Sequence, residues 1–124
     1  MKKIILLFLM VLFSSATLNA QTNPIDSLKQ LIQNEKQDTS RALLLFQLSR
    51  QYNFSKPDSA LLFARQAVEL SRKINFKKGE ATGLRGIAAF FANTGNYPAS
   101  LEINLQALKI SEEIFFIHSL LMQF

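Results

Sequence analysis

Two segments of the chain, residues 60–74 and 100–114, align without a gap at an offset of forty residues. Five aligned pairs are identical: Leu61/Leu101, Gln66/Gln106, Ala67/Ala107, Ser71/Ser111 and Ile74/Ile114. Three further pairs keep an apolar side chain: Phe63/Ile103, Val68/Leu108 and Leu70/Ile110. Any two amphipathic helices share some positions, but a register kept over the whole segment favours a true repeat. Self-similarity at a period of about 20–50 residues is typical of folds in which helical units stack on one another.

Each copy is predicted to be a pair of helices joined by a tight turn. In the second copy, four side chains fall at i, i+3, i+4 and i+7 and share one helical face: Leu84, Ile87, Ala88 and Phe91. Gly95 suits the left-handed residue that ends a helix, and Pro98 suits the first turn of the next helix. The first copy follows the same plan, with its turn at residues 55–58 and these residues on its leading helix: Leu45, Leu48, Ser49 and Tyr52.

The pattern predicts an all-α fold, a solenoid of about two antiparallel helix–turn–helix repeats preceded by an N-terminal helix. Helices are expected near residues 25–34, 40–53, 57–74, 80–93 and 97–115. The side chains expected to pack within the repeats are Tyr52, Ala60, Phe63 and Ala67 in the first, and Phe91, Tyr97, Leu101 and Ala107 in the second. Gly83 and Gly86 fall inside a predicted helix, where each costs about 1 kcal/mol relative to Ala. They indicate either a close approach between helices or poor packing.

Residues 81–112 resemble a tetratricopeptide repeat. That family has a large residue, Leu, a small residue and an aromatic on its first helix, then a Gly-Asp/Asn-Tyr turn and two small residues on its second helix. The corresponding positions here are Leu84, Ile87, Ala88, Phe91, Gly95-Asn96-Tyr97, Ser100 and Ala107. Ser100 replaces the usual Ala, and Asn104 stands where a bulky residue is commoner. The first copy keeps Ala60 and Ala67 but lacks the Gly-Asn-Tyr turn.

The first twenty residues have the layout of a secretory signal peptide. Lys2 and Lys3 precede a ten-residue apolar run, residues 4–13, which small and polar residues follow. Cleavage is expected after Ala20, with cleavage after Ala16 as the alternative. An uncleaved membrane anchor is the competing interpretation, but a spanning helix needs about 20 apolar residues. We therefore expect an exported, periplasmic protein.

Charge and composition argue against several functions. Removal of Lys2 and Lys3 with the signal peptide lowers the formal charge from +5 to +3, which is too little to indicate nucleic-acid binding. A basic cluster around the loop between the repeats is interpreted as a solvated corner: Arg72, Lys73, Lys77 and Lys78. The chain has no Cys, so thiolate zinc sites are excluded. Its only histidine, His118, lies in the apolar tail, so we expect no His-based triad and no His-rich metal site. Asp and Glu are spread along predicted helix exteriors. We expect no enzyme, no cofactor and no metal.

The resemblance implies a scaffold that holds another polypeptide in a concave groove lined by the leading helices. The groove stripe would contain residues spaced about one turn apart: Phe46, Arg50 and Asn53 on the first leading helix, and Arg85, Ala89 and Asn93 on the second. Arginine and asparagine side chains on one wall suit a carboxylate or the backbone of an extended peptide. The competing interpretation is that both arginines are ordinary exposed helix residues.

These interpretations divide the chain into a signal peptide (1–20), an N-terminal helix and linker (21–39), two repeats (40–79 and 80–114, together 40–114) and an apolar tail (115–124). The tail occupies the place of a polar loop, so it either folds back as a cap or marks a truncated product of a longer protein. We expect truncation, marginal stability and self-association.

The function predicted is an exported module that binds a protein or peptide. The alternative is the truncated input region of a sensor kinase or regulator, which would contact a membrane only through the signal peptide or a missing downstream segment.

Overall fold

The structure, a computed structural model, describes residues 1–15 and 23–123, with the side chains of 11–15 left undescribed. The described residues form six helices and no strand: α1 (Lys2–Ser15), α2 (Pro24–Asn34), α3 (Asp38–Tyr52), α4 (Pro57–Lys73), α5 (Lys77–Asn93) and α6 (Tyr97–Gln123). The predicted all-α repeat fold is therefore confirmed. The expected cleavage positions, Ala16 and Ala20, lie outside the described residues. None of the helices in the described part of the chain is both long enough and apolar enough to cross a bilayer.

The last helix is longer than the sequence pattern predicts. We expected it to end near residue 115, but α6 continues to Gln123. After Pro98 the chain contains no Gly or Pro that would break a helix. The apolar tail is therefore neither a loop nor a folded-back cap, because it extends α6.

The helices stack in chain order. Helix α3 packs on α4, α4 on α5 and α5 on α6, while α2 packs on α3 and the leading helices α3 and α5 also touch. Connections of three residues between α4 and α5 and between α5 and α6 make these neighbours antiparallel. Within the described ranges, α1 contacts none of the other helices.

Two clusters of buried side chains hold the stack together. The first contains Leu48, Tyr52 and Ala60, with Phe63 and the apolar face of α2 packed against it. The rings of Tyr52 and Phe63 stack with their centroids 5.7 Å apart. The second cluster joins the two repeats and contains Ala64, Val68, Leu84, Ile87 and Ala107, with Phe91 at its edge.

Two of the side chains expected in the second repeat's core are exposed. Tyr97 is 69% exposed and Leu101 is 61% exposed. The equivalent of Leu101 in the first repeat is Leu61, which is half-buried because α5 follows and packs over α4. No helix of the described chain covers α6 in this way, so the expectation for Tyr97 and Leu101 was wrong.

Gly83 marks a close approach between helices. A Cβ atom at this position would lie 2.7 Å from Val68 Cγ2 and 3.1 Å from the Val68 backbone nitrogen. Of the two explanations for the glycines in α5, close approach is therefore the one that applies to Gly83.

The two turns around α5 have the same hydrogen-bond pattern. At the end of α5, the amide of Asn96 donates to the carbonyl of Phe91 (2.8 Å), and Gly95 has a φ of 84°. At the end of α4, the amide of Phe76 donates to the carbonyl of Ser71 (2.7 Å), and Asn75 has a φ of 57°. Gly and Asn are the residues that adopt this left-handed conformation most readily. The connections before and after α5 are therefore turns of the same kind.

Candidate protein-binding groove

A cavity of about 350 Å³ opens between the two leading helices, α3 and α5. Its lining consists of Phe46, Ser49 and Arg50 of α3, Asn53 directly after α3, and Arg85, Gly86 and Ala89 of α5. The cavity therefore lies where the first repeat meets the second.

The ring of Phe46 and the backbone of Gly86 form the apolar floor of the cavity. A Cβ atom on Gly86 would lie 3.2 Å from Phe46 Cε2 and 3.2 Å from Ala64 Cβ. Because this spacing is tighter than an ordinary van der Waals contact, a larger residue at this position would push the ring away from α5. Gly86 therefore lets an aromatic ring of one repeat lie directly on the helix backbone of the next.

Ser49 lines the cavity but its hydroxyl is already used. The side chain is buried, and Ser49 Oγ donates a 2.7 Å hydrogen bond to the carbonyl of Ala60 on α4. The bond ties α3 to the first turn of α4. Ser49 therefore supports the wall of the groove and leaves ligand contacts to its neighbours.

The charge of the groove comes from Arg50 on one wall and Arg85 on the other, and both side chains are exposed. Among the residues that the structure describes, neither guanidinium lies within ion-pair distance of a carboxylate. Each presents a planar set of N–H donors that matches a carboxylate. Asn53, half-buried beside Arg50, adds an amide that both donates and accepts. This combination suits an extended polypeptide that carries acidic groups.

A family model described as the SusR N-terminal TPR domain matches residues 15–112. The chain belongs to this tetratricopeptide-repeat (TPR) family. Comparison with curated proteins and with solved structures finds no match. TPR domains are non-catalytic helical scaffolds for protein–protein interaction. Protein–protein interaction is therefore the general activity of the family to which the chain belongs.

The structure of the TPR domain brings five of the six predicted groove residues to one cavity: Phe46, Arg50, Asn53, Arg85 and Ala89. The sixth, Asn93, is the last residue of α5 and is not part of the lining. Sequence reasoning missed Ser49 and Gly86 as lining residues. Gly86 carried a usable signal, because a glycine inside a helix commonly marks the close approach of another group.

The basic corner of the TPR domain lies at the surface, as predicted, but it surrounds a buried carboxylate. Arg72 Nε lies 2.9 Å from Glu80 Oε1, and Lys77 Nζ lies 3.6 Å from Glu80 Oε2. Glu80 itself is buried, so the expectation that all acidic residues occupy helix exteriors was wrong. All four cations at the corner are exposed, and two of them, Arg72 and Lys77, pair with this one carboxylate.

Proposed function

We propose that the chain is an exported TPR scaffold that binds an extended, acidic segment of a partner protein in the cavity between α3 and α5. The observation that carries the proposal is the pair Arg50 and Arg85, two arginines without a carboxylate partner in the described residues, on facing walls above an apolar floor. An apolar side chain of the ligand would pack on the floor, and the two arginines would bind its carboxylates.

The groove is tested by selection from a displayed library of random peptides. We expect the selected peptides to combine Asp or Glu with an apolar residue. A variant with Arg50→Ala and Arg85→Ala should bind them at least about tenfold more weakly, because each charge-assisted hydrogen bond contributes about 1.5–3 kcal/mol. Titration by fluorescence anisotropy gives both dissociation constants.

The matched control is a variant with Arg65→Ala and Lys109→Ala. It removes the same charge from exposed positions on α4 and α6 that do not line the cavity. We expect it to bind like the parent. Equal losses in both double variants would show that binding follows net charge, and unchanged binding of the groove variant would place the site elsewhere.

Export is proposed from the basic start and apolar run of residues 2–13, which match a signal peptide in charge and length. Mass spectrometry of the protein recovered from the periplasm is expected to find Gln21 as its first residue. Recovery of Met1 in the membrane fraction would instead support an anchor.

A second candidate function is the input region of a sensor kinase or transcriptional regulator. It is supported by the description of the matching family, which places the TPR domain at the N-terminus of SusR. Genomic DNA beyond the codon of Phe124 tests it. Kinase or regulator motifs there, preceded by a membrane segment or joined in another frame, would favour this function over a free-standing scaffold.

A further inference from the structure

Two further cavities open on the side of the stack formed by α2, α4 and α6, whereas the groove is formed by α3 and α5. The first, of about 280 Å³, lies over α3 between α2 and α4. The second, of about 380 Å³, lies over α5 between α4 and α6. We call them the first and second rear pockets. They occupy the same place in successive repeats, because each lies over a leading helix and between the two helices that flank it.

The residues that line the two rear pockets correspond position by position. All seven lining residues of the first have a counterpart in the second, at the offsets of 36 to 40 residues that separate equivalent helices. The apolar counterparts, which form the floors and walls, are Leu45/Leu84, Leu48/Ile87, Phe63/Ile103 and Ile32/Val68. The polar counterparts, at the rims, are Lys29/Arg65, Gln33/Glu69 and Gln66/Gln106. The pocket is therefore a feature of the repeat unit itself.

Packing does not explain the identity of Gln66 and Gln106. They form one of the five identical pairs of the repeat, and both side chains are exposed. The neighbouring pair, Ala67 and Ala107, is buried, so helix packing accounts for it. The two glutamines share a different property, which is their position at the rim of a rear pocket. This position indicates that their amides serve a ligand.

The rims are rich in hydrogen-bond donors. A cation of the preceding helix and a glutamine of the following helix flank each pocket: Lys29 and Gln66 the first, Arg65 and Gln106 the second. Lys and Arg side chains only donate, and a Gln amide donates and accepts. Within the described ranges, neither cation lies within ion-pair distance of a carboxylate. Although Glu69 adds an acceptor to the second rim, the features common to both pockets suit a ligand that offers oxygen acceptors.

The spacing of the rear pockets fits a polyproline II segment. Helices α3 and α5 are in contact, and helices in contact lie about 8–10 Å apart, so the pockets above them are separated by about this distance. A polyproline II segment rises about 3.1 Å per residue with about three residues per turn, which puts every third side chain on one face, about 9 Å apart. In a β-strand, side chains on one face are about 7 or 13 Å apart.

The backbone of a proline-rich segment also matches the rims chemically. A polyproline II backbone makes no internal hydrogen bonds, so its carbonyl oxygens are free to accept, and proline has no N–H that would need an acceptor. An α-helical ligand offers few carbonyls, because they are bonded within the helix. A lipid surface would not reach the pocket floors, where Leu48 is 1% exposed and Leu84 is 3% exposed.

We propose that the rear pockets bind a proline-rich segment of a partner protein in the polyproline II conformation. Two large apolar side chains, three residues apart, occupy the two pockets, and the residues between them cross α4. Carbonyl oxygens of the segment accept hydrogen bonds from Gln66 and Gln106. This site is separate from the groove between α3 and α5 and does not depend on the acidic ligand proposed for the groove.

Isothermal titration calorimetry of the full-length chain tests the spacing. The probe is an end-capped peptide of four Leu-Pro-Pro repeats, which carries no charge for the arginines of the groove. The comparison peptide has the same composition with its leucines grouped at one end. We expect saturable binding of the probe and at least about fivefold weaker binding of the comparison peptide. Absence of probe binding, or equal binding of both peptides, would overturn the proposal.

Two double variants of the chain test the rims. Gln66→Ala with Gln106→Ala should weaken probe binding at least about fivefold, because each glutamine would lose a hydrogen bond to the ligand. Gln47→Ala with Gln51→Ala is the matched control, since both residues are exposed on α3 and line neither rear pocket. It should leave the dissociation constant within about twofold. Equal losses in the two variants would contradict the proposal.

The groove variant, Arg50→Ala with Arg85→Ala, separates this site from the groove. We expect it to bind the uncharged probe within about twofold of the parent. A loss of probe binding in this variant would place the peptide in the groove and overturn the rear site. A failure of acidic peptides to bind the parent would count against the groove alone, because the uncharged probe measures the rear pockets independently.

Discussion

Ser49 shows how a small polar side chain fixes the position of one helix against another. Its sequence spacing indicates only that a small residue is needed where α3 and α4 approach. The structure adds a buried hydrogen bond from Ser49 Oγ to the carbonyl of Ala60. Because Ala60 lies in the first turn of α4, the bond joins the later part of one helix to the start of the next.

Replacement of Ser49 by Ala should lower the free energy of unfolding by about 1 kcal/mol, the usual net value of an intramolecular hydrogen bond. Urea unfolding followed by circular dichroism measures the change. Ser111→Ala is the control, since Ser111 Oγ donates to the carbonyl of Ala107 within its own helix and lies near the surface. We expect less than about 0.5 kcal/mol from the control. Equal losses of unfolding free energy in the two variants would mean that the hydrogen bond between α3 and α4 stabilises the protein no more than a hydrogen bond within one helix.

Residue patterns predicted most of the groove because an α-helix has fixed geometry. Residues about one turn apart lie on one face, so the positions of Phe46, Arg50 and Asn53 followed from the position of the core residues. Asn93 lies outside the cavity lining for the same geometric reason. Eight residues correspond to about 80° of rotation beyond two full turns, which carries Asn93 away from the line of Arg85. The floor at Gly86 depends on the distance between two helices, and periodicity within one helix carries no information about that distance.

At the scale of the element, the trailing helices α4 and α6 contact their neighbours through small residues. Ala67 and Ala107 occupy equivalent positions in the two repeats, and both are buried. Ala107 belongs to the cluster between the repeats, with Leu84 on the opposing helix. A longer side chain at either position would have to displace a neighbouring helix.

Ala67→Leu and Ala107→Leu should each destabilise the protein by about 1–3 kcal/mol, the usual cost of extra methylene groups in a packed core. Thermal melts followed by circular dichroism measure the loss. Asn104→Leu places the same side chain at an exposed position of α6 and should leave the melting temperature nearly unchanged. If both alanine variants melt like the parent, small residues are not what sets the helix spacing.

The ends of the helices were predicted less well than their existence. The turn at Gly95 was predictable from the sequence, because only a residue that tolerates positive φ fits there. The equivalent turn at Asn75 lacked that signal, since Asn is also common in helices and loops of ordinary conformation. The end of α6 was misplaced because the tail has no breaker, and a loss of supporting contacts does not by itself end a helix.

At the scale of the whole molecule, the stack exposes one of its faces. Leu61, Ala64 and Val68 of α4 pack beneath the following helix α5. The residues at the equivalent positions of α6 are Leu101, Asn104 and Leu108, and all three are exposed. In a solenoid, stability is approximately a sum of repeat terms and interface terms, so this uncovered face is an interface that contributes nothing to the described chain.

A variant in which a helix with the apolar pattern of α5 and a polar outer face replaces the residues after Glu113 should therefore be more stable. Covering three half-exposed leucines, Leu101, Leu105 and Leu108, contributes about 3 kcal/mol in total. We expect a higher urea midpoint, and a monomer where the parent self-associates. A control helix of the same length with the apolar residues of its inner face changed to Gln should give no gain. A parent that is already monomeric and melts cooperatively would show that α6 needs no cover.

The Phe46 ring belongs both to the cavity floor and to the junction between the repeats, where it lies on the backbone of Gly86. If a ligand binds on this floor, as proposed above, its binding would be linked thermodynamically to repeat stacking, because it would bind only when the junction is closed. The coupling is reciprocal. A bound ligand would stabilise the closed junction, and a change that loosens the junction would weaken ligand binding by the same coupling free energy. Occupancy of the groove would then be transmitted along the stack as a change in the stiffness of the joint between α3 and α5.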